Sequence, residues 1–453
     1  MLSSLKAVPA LIPSLSSYSP LYNLTTPSLP SLSQATSATW LWTTLAIVTS
    51  LLILEQTVYS FIVMASSNEF ARKILNSPSH AEPCLVHSAK QILLPENWVF
   101  LTGKDHLAYR RGLNSLFTRR ALGIYVGIQE AITRKHFAKW LATAAQTDEA
   151  QPIMMTARHL NMDTSLRVFC GKHISEEAAI EINEKYWAIT QSLELVNFPL
   201  AIPGTKVYKA IQARKAALRW LELAAKRSKE AVASGADPEC MLDEWVQVLN
   251  DPTYKGKRDF SDREMAMVLF SFLFASQDAM SSGLIYGFQH LVDNPDILAK
   301  VRAEQMSVRQ GNFDKPLTLE MIEQMVYLNA FVKESMRVMP PVTMVPYKTT
   351  KAFPISDDYT VPANSMVIPS FYNSLHDPTV YPEPDQLLPE RWLDIEGSAN
   401  QNPKNYIVFG SGPHRCIGLE YAQLNIVLVL AMASAQMNFE HEITPQSSQI
   451  EYG

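Results

Sequence analysis

A glycine-rich loop around a single cysteine is the part of this sequence with the clearest chemical potential. The run Phe409-Gly-Ser-Gly-Pro-His-Arg-Cys416-Ile-Gly418 comes directly before a long helical pattern. We expect Gly412 and Gly418 to let the backbone pass close to a flat group in conformations that a side chain would forbid. Unpaired N–H groups at a helix start favour the thiolate form of Cys416. A thiolate held in this way predicts an axial ligand of haem iron, and a buried structural cysteine is the alternative.

An acid and two arginines form a second set of residues with suggestive spacing. Glu334 and Arg337 are three positions apart on one face of a predicted helix, and Arg391 follows within Pro389-Glu-Arg-Trp. Such a pair is usually a solvated salt bridge that contributes little to stability. Arginine would suit a buried network better than lysine, because its planar fork can hydrogen-bond several partners at once.

The middle of the longest predicted helix combines small residues with one acid. Ala275, Asp278, Ala279 and Ser282 share a helix face through their i, i+3, i+4 and i+7 spacing. Small side chains there would leave room for a bound small molecule, and Asp278 could guide protons towards it. Ser281 or Ser282 with ordered water could complete a proton relay. A stripe of small residues for helix packing is the alternative.

Composition limits the class of partner and the redox setting. The chain has 453 residues, 47% of them hydrophobic, with a net charge of −5. This mildly acidic balance, without a polybasic tract, argues against nucleic acid as a partner. The four cysteines form no Cys-x-x-Cys pair, so neither a zinc site nor a disulfide framework is predicted. We therefore expect reduced thiols that face the cytosol.

The N-terminal segment differs from the rest of the chain. Residues 1–39 are rich in Ser, Pro, Leu and Thr, and we expect them to be disordered. Residues 40–54 form an uncharged run that starts with two tryptophans, which suits a membrane anchor. This run is shorter than the ~20 residues that cross a bilayer, so a buried helix or a signal-peptide core is the alternative. Residues 55–453 are then predicted to be one catalytic domain.

Most of this domain has helical periodicity. The pattern predicts a strand over Val58–Met64 and a helix after Asn68, and a capping box at Ser261 and Glu264 predicts the start of the longest helix. The period changes after Pro341, where short strands are predicted. Many helices with a few short strands predict a mainly α fold with small β-sheets, of the α+β type, around one principal core.

The cysteine loop resembles the haem-binding loop of the cytochrome P-450 monooxygenases. Its pattern is Phe-x-x-Gly-x-[Arg or His]-x-Cys-x-Gly, and Glu334-x-x-Arg337 followed by Arg391 resembles two further motifs of that family in the same order. The resemblance implies the P-450 fold, haem b bound through iron to Cys416, and a buried Glu334–Arg337–Arg391 network. It also implies contacts of the haem with the loop residues Phe409, Gly412 and Gly418.

Two basic positions are implied to bind the haem carboxylates. Arg110 ends the run His106-Leu-Ala-Tyr-Arg110, where the family usually has Trp-x-x-x-Arg. His414 stands where many relatives carry an arginine, and a histidine can donate one hydrogen bond there. From the residues alone, a solvated basic face is an equal alternative for Arg110.

Longer stretches resemble one branch of the family, the fungal sterol C-22 desaturases. These stretches include Phe272–Ala279, Pro340–Lys348 and Ala71–Ser77. Carried over by position, the resemblance implies an apolar substrate pocket lined by Phe272, Phe274, Ala275, Ala279, Val342, Met344 and Val345. The family normally has threonine where this chain has Ala279, so proton delivery through that threonine is not expected.

The resemblance implies an enzyme of ergosterol biosynthesis in the endoplasmic reticulum membrane, with its catalytic domain in the cytosol. Electrons from NADPH would arrive through NADPH–cytochrome P-450 reductase, O2 would be consumed, and a double bond would form between C-22 and C-23 of the sterol side chain. A sterol 14α-demethylase or another haem-thiolate hydroxylase is one alternative. The other is a truncated, non-catalytic copy, because the chain is expected to lack the family's hinge and first-strand region before Val58 and its C-terminal strands after Gly453.

Overall fold

The computed structural model describes residues 62–85, 87–147, 150–193, 201–254 and 258–442, and helices dominate them. The helices are α1 Asn68–Leu75, α2 His87–Leu93, α3 Gly103–Leu113, α4 Arg119–Ala144, α5 Ile153–Cys170, α6 Glu176–Gln191, α7 Lys206–Ala233, α8 Met241–Asn250, α9 Asp262–Asp293, α10 Pro295–Val308, α11 Leu319–Gln324, α12 Val326–Val338, α13 Tyr372–Leu375, α14 Ser398–Gln401 and α15 Leu419–Gln436. The mainly α fold with small β-sheets is confirmed.

Six short strands form two sheets within these residues. The strands are β1 Ile62–Ala65, β2 Ala81–Pro83, β3 Tyr347–Thr349, β4 Phe353–Pro354, β5 Thr360–Val361 and β6 Met366–Pro369. The larger sheet has the order β1-β6-β3-β2. β1 is parallel to β6 and pairs Ile62 with Met366, whereas β3 is antiparallel to both β6 and β2. β4 and β5 form a separate antiparallel pair.

Local capping explains where several helices begin. The Ser261 side chain accepts a hydrogen bond from the Glu264 N–H, and the Glu264 carboxylate binds the Ser261 backbone, so the predicted capping box opens α9. The N-cap of α1 is Ser67 rather than the expected Asn68. The helical periodicity of Met321–Val338 predicts one continuous helix, and this prediction is wrong. Met325 leaves the helical conformation at φ −78° and ψ 68° and separates α11 from α12.

α9 and α15 pack closely against each other in the core. α15 is buried along most of its length, as is the first half of α9. A Cβ atom added at Gly283 would lie 2.9 Å from the Ile426 side chain, and one at Gly287 would lie 2.7 Å from that of Leu430. At these two glycines, side chains of α15 contact the backbone of α9 directly, so the two helices can pack closely. The cysteine loop comes directly before α15.

Within the described ranges, α9 is the one helix whose length and composition would suffice to cross a membrane, and 61% of its apolar window is buried in the fold. That burial is typical of a core helix. The predicted disordered segment 1–39 and the candidate anchor 40–54 lie outside the described residues, as does the first part of the predicted strand Val58–Met64.

Candidate functional site

A cavity of about 430 Å³ lies between α9, the cysteine loop and the segments around α3. Most of its wall is aliphatic or aromatic. Its polar groups are few and include Arg110, His106 and His414 on one side and Ser276 on α9. Cys416 belongs to the same wall, so the predicted metal ligand opens directly onto the cavity.

The loop before α15 is held in a shape that depends on glycine. The Cys416 N–H donates to the Phe409 carbonyl at 2.9 Å, which closes the loop. Gly412 has φ +74°, and a Cβ atom there would lie 2.2 Å from the Leu75 carbonyl oxygen. The predicted need for glycine at Gly412 is thus confirmed by its backbone. At Gly418 it is wrong: φ is −88°, and the second left-handed position is Gly410 at φ +72°.

The electrostatic environment of Cys416 does not by itself produce a thiolate. Burial raises the pKa of the Cys416 thiol, although the Gly418 N–H, Arg110 and Arg415 oppose that shift. The expectation that the helix start alone favours the thiolate is therefore incomplete. A bound metal ion deprotonates a coordinating thiol outright, and the two nearby guanidinium groups would support the resulting negative charge. This donor set fits an iron–thiolate bond.

Arg110 and two histidines form the polar side of the cavity. The rings of His106 and His414 stack with centroids 4.0 Å apart. Burial lowers the pKa of His414 to about 4, with smaller effects from His106 and Arg110, so its imidazole is neutral at pH 7. Burial also lowers the pKa of Arg110. Arg110 and His414 are partly desolvated donors beside Cys416, so they fit the carboxylates of a haem. Those carboxylates would accept the hydrogen bonds that the two side chains lose to water on burial.

The network predicted around Glu334 is formed. Both Glu334 and Arg337 are fully buried and make a bidentate pair, with Nε and Nη2 of the arginine each 2.9 Å from a carboxylate oxygen. Arg391 Nε donates to Glu334 Oε1 at 2.9 Å, and the Trp392 indole donates to Oε2 at 2.8 Å. The network ties α12 to the irregular segment that leads to the cysteine loop.

The structure corrects the prediction for Asp278. This residue does not line the cavity. Its carboxylate forms an ion pair with the guanidinium of Arg158 on α5 and accepts a hydrogen bond from the Thr190 hydroxyl at 3.3 Å. The Arg158 side chain is only 8% exposed, so its charge needs this partner. Asp278 therefore joins α9 to α5 and α6 instead of facing the cavity.

The two serines predicted to complete the relay do not connect Asp278 to the cavity. Ser281 is buried, donates to the Gln277 carbonyl at 2.6 Å and accepts from the Asn161 amide at 2.9 Å. The Ser282 hydroxyl has no hydrogen-bond partner in the described part of the chain, and Ser282 is absent from the cavity wall. The predicted relay through these residues is not formed.

Six of the seven predicted pocket residues line the cavity: Phe272, Phe274, Ala275, Ala279, Val342 and Val345. Met344 does not. It is 45% exposed and pairs through its backbone with Ser370, so its side chain turns away from the cavity. Met344 and Val345 are consecutive in an extended segment, so their side chains point to opposite sides, and only that of Val345 reaches the cavity.

Several side chains that line the cavity were not predicted from the sequence. Trp98, held by a hydrogen bond of 2.8 Å from its indole to the Ser271 hydroxyl, stacks on His106. His106 had a usable signal, since it is four positions before Arg110 on α3 and therefore on the same face. Tyr421 lines the wall from α15. No periodic signal marks Trp98, because it lies in a short 3₁₀ turn.

Comparisons with known proteins agree with this geometry. A family profile described as "Cytochrome P450" matches residues 56–451. The "C-22 sterol desaturase erg5" of Aspergillus fumigatus is 41% identical over 411 residues, which cover 86% of this chain and 78% of that protein. The "Cytochrome P450 monooxygenase oblE" of Emericella variicolor is 40% identical over 411 residues, with 86% and 77% covered.

A solved structure supports the fold. The chain is similar to a retinoic acid-bound cyanobacterial CYP120A1, with a TM-score of 0.68 and 22% sequence identity, covering 82% of this chain and 81% of that one. At this identity the likeness is evidence for the arrangement of helices and sheets, and the substrate has to be argued from the site.

Proposed function

Because the chain belongs to the cytochrome P450 family, we propose that it introduces the C-22(23) double bond into the side chain of a sterol in ergosterol biosynthesis. The observation that supports this most directly is the 41% identity to the Aspergillus fumigatus C-22 sterol desaturase over 86% of the chain. The apolar cavity beside Cys416 is the place where such a substrate would bind.

The cofactor would be haem b, with Cys416 as the ligand of its iron. Arg110 and His414 would bind its carboxylates, and the loop from Phe409 would lie along its face. When bound, the haem supplies activation of O2 with two electrons that a reductase passes from NADPH. The surrounding residues bind and orient the substrate and keep bulk water out of the cavity.

The wall of the cavity suits an apolar substrate such as a sterol. Phe272, Phe274, Val342 and Val345 provide an apolar wall, as a sterol ring system requires. Ala275 is a small residue on the α9 side, where it leaves space next to the cysteine loop. This combination would hold the rings by hydrophobic contact and let the side chain approach the iron.

Desaturation and hydroxylation differ only in the final step on the substrate. One relative of nearly equal identity is named a monooxygenase, so insertion of oxygen into another substrate is the competing function. We further propose that the protein works at the endoplasmic reticulum membrane with a reductase as its partner, as its resemblance to the fungal sterol C-22 desaturases implies.

The decisive experiment is turnover in membranes that contain reductase. The chain is supplied with NADPH and either a sterol saturated at C-22 and C-23 or lanosterol, and products are identified by mass spectrometry. We expect the first sterol to lose two hydrogen atoms and lanosterol to remain unchanged. A product that gains one oxygen atom, or turnover of lanosterol, would reject the desaturase assignment. A reduced carbon monoxide spectrum without a haem-thiolate band would instead favour a non-catalytic copy.

A further inference from the structure

Six polar side chains lie on α4, α5, α9 and α15 beside the cavity wall, and we call them the inner polar cluster. Gln129, Thr133, Thr164 and Ser165 are 0% exposed, and Ser276 and Tyr421 line the cavity. Gln129 and Thr133 are one turn apart on α4, and Thr164 and Ser165 are on α5. Such a group of polar side chains in the middle of a helical core requires a physical explanation.

Several of these groups lack partners. Gln129, Thr133 and Thr164 are 0% exposed, yet both amide atoms of Gln129 and both threonine hydroxyls have no hydrogen-bond partner among the described residues. The Tyr421 hydroxyl also has no partner at hydrogen-bonding distance among these residues, although the Ser165 and Gln129 side chains are close enough to lower its pKa. Leaving such groups unpaired is destabilising, so native proteins satisfy them with ordered water when side chains cannot do so. The cluster is therefore a place where water is expected.

One end of the cluster reaches the cavity. Ser276 and Tyr421 both line the cavity wall. The Ser276 hydroxyl is 3.5 Å from that of Ser165, which makes a long hydrogen bond in which either hydroxyl can donate. Burial raises the pKa of Tyr421 to about 12, against the opposing effects of the nearby Ser165 and Gln129 side chains. Ser165, Gln129 and Tyr421 are thus close neighbours.

The other end reaches a titratable pair near the surface. His136 is three positions after Thr133 on α4, and its Nε2 atom is 2.9 Å from Asp163 Oδ2. Asp163 directly precedes Thr164 on α5, and its side chain is 28% exposed. The pair therefore reaches solvent, whereas Asp278, the acid expected to guide protons inwards, is paired with Arg158 and does not line the cavity.

We propose that the inner polar cluster holds a file of ordered water that carries protons from the His136–Asp163 pair to the cavity wall at Ser276. The proposal rests on the proposed function only in that reduction of O2 consumes protons. For desaturation, one CH–CH unit, O2, two electrons and two protons give one C=C unit and two molecules of water. The electrons come from NADPH through the reductase, and the file would supply the protons. Its residues are positioning residues, because they hold the water.

The first test is a high-resolution crystal structure of the haem-loaded protein. We expect ordered waters within hydrogen-bond distance of the Gln129 amide and the Thr133 hydroxyl, continuing towards Ser276. A dry cluster, or one in which protein groups satisfy these atoms, would overturn the proposal. This measurement needs no turnover and is independent of the identity of the substrate.

The second test is the coupling of NADPH oxidation to product. Thr133→Val keeps the shape of the side chain and removes the hydroxyl, and Ser165→Ala breaks the link to Ser276. We expect each to lower product formed per NADPH by about tenfold, less than the loss of a directly acting acid, with a matching rise in hydrogen peroxide. Haem content and the reduced carbon monoxide spectrum should be unchanged. Thr133→Ser should restore the coupling.

The matched control is Ser434→Ala. Ser434 is 2% exposed on α15, and its hydroxyl donates within its own helix to the Ala431 carbonyl, outside the cluster. It should lose no coupling. Equal coupling in Thr133→Val, Ser165→Ala and the natural protein would refute the proton file. Peroxide release can be followed with any substrate that is turned over, so failure of the sterol assignment and failure of the file are distinguishable.

Discussion

Replacing Glu334 by glutamine tests the buried network that connects α12 to the segment before the cysteine loop. The carboxylate of Glu334 accepts five hydrogen bonds: two from Arg337, one from Arg391, one from the Trp392 indole and one from the Leu388 N–H at 3.1 Å. Glutamine keeps the size of the side chain but removes its charge and turns one acceptor into a donor. That donor would face guanidinium groups that can only donate.

The magnitude follows from the burial of the charges. Glu334 and Arg337 are 0% exposed, and the Arg391 side chain is 8% exposed. Removing one partner of a buried ion pair leaves an uncompensated charge and costs about 3–5 kcal/mol. Here the lost carboxylate leaves two guanidinium groups without their anion. We therefore expect the upper part of that range, together with release of haem at lower denaturant concentration.

The assay is chemical unfolding followed in parallel by haem absorbance and tryptophan fluorescence, with Glu304→Gln as the matched control. Within the described part of the chain, the Glu304 carboxylate accepts only from the Tyr327 and Leu328 N–H groups, at 2.7 and 2.9 Å, and has no charged partner. Its replacement should cost about 1–3 kcal/mol, the range for leaving a buried donor unsatisfied. If Glu334→Gln and Glu304→Gln were equally stable, the network would contribute no more than ordinary hydrogen bonds.

Three further substitutions test the site. Cys416→Ala should abolish the haem-thiolate band of the reduced carbon monoxide spectrum, whereas Cys84→Ser should keep it; a retained band in Cys416→Ala would refute the ligand assignment. Gly412→Ala should lower haem uptake strongly because its Cβ would lie 2.2 Å from a carbonyl oxygen, whereas Gly410→Ala, with no atom within 4 Å, should cost only about 1–2 kcal/mol in unfolding experiments; equal effects would contradict this steric argument. Asp278→Asn should lower thermal stability and slow turnover less than about tenfold, and a much larger loss of turnover at unchanged stability would return Asp278 to the proton path.

Local signals in the sequence predicted much of the helical frame. The Ser261–Glu264 capping box marks the start of α9, and α7 has the predicted bounds Lys206–Ala233. Both depend on interactions within a few residues, which a sequence displays directly. The break at Met325 and the helix Met241–Asn250 were not predicted. α8 is amphipathic and short, and tertiary packing determines whether such a segment is helical.

The site was predictable to the extent that its residues are close in sequence. Cys416 and the Glu334–Arg337 pair were identified from spacing, and the structure places each of them as expected. The conformation expected at Gly418 is found at Gly410 instead, because the loop conformation decides which glycine takes a positive φ. A single sequence gives no direct measure of those backbone angles.

The sequence of α5 explains why Asp278 does not face the cavity as predicted. Arg158, Asn161 and Ser165 have i, i+3 and i+7 spacing, which puts three polar side chains on one buried face. That face meets α9: Arg158 binds Asp278 and Asn161 binds Ser281. Two of the predicted relay residues are thereby used to join helices.

Ser165 is the exception on this face of α5, because its contact on α9 is with Ser276, which lines the cavity. On a helix with 3.6 residues per turn, Ser276 and Asp278 flank the Ala275–Ala279 wall on opposite sides. A helix can therefore turn its acid outwards and still offer a hydroxyl to the cavity. In the proposed proton file, the polar face of α5 therefore determines that protons reach the cavity on the Ser276 side of α9.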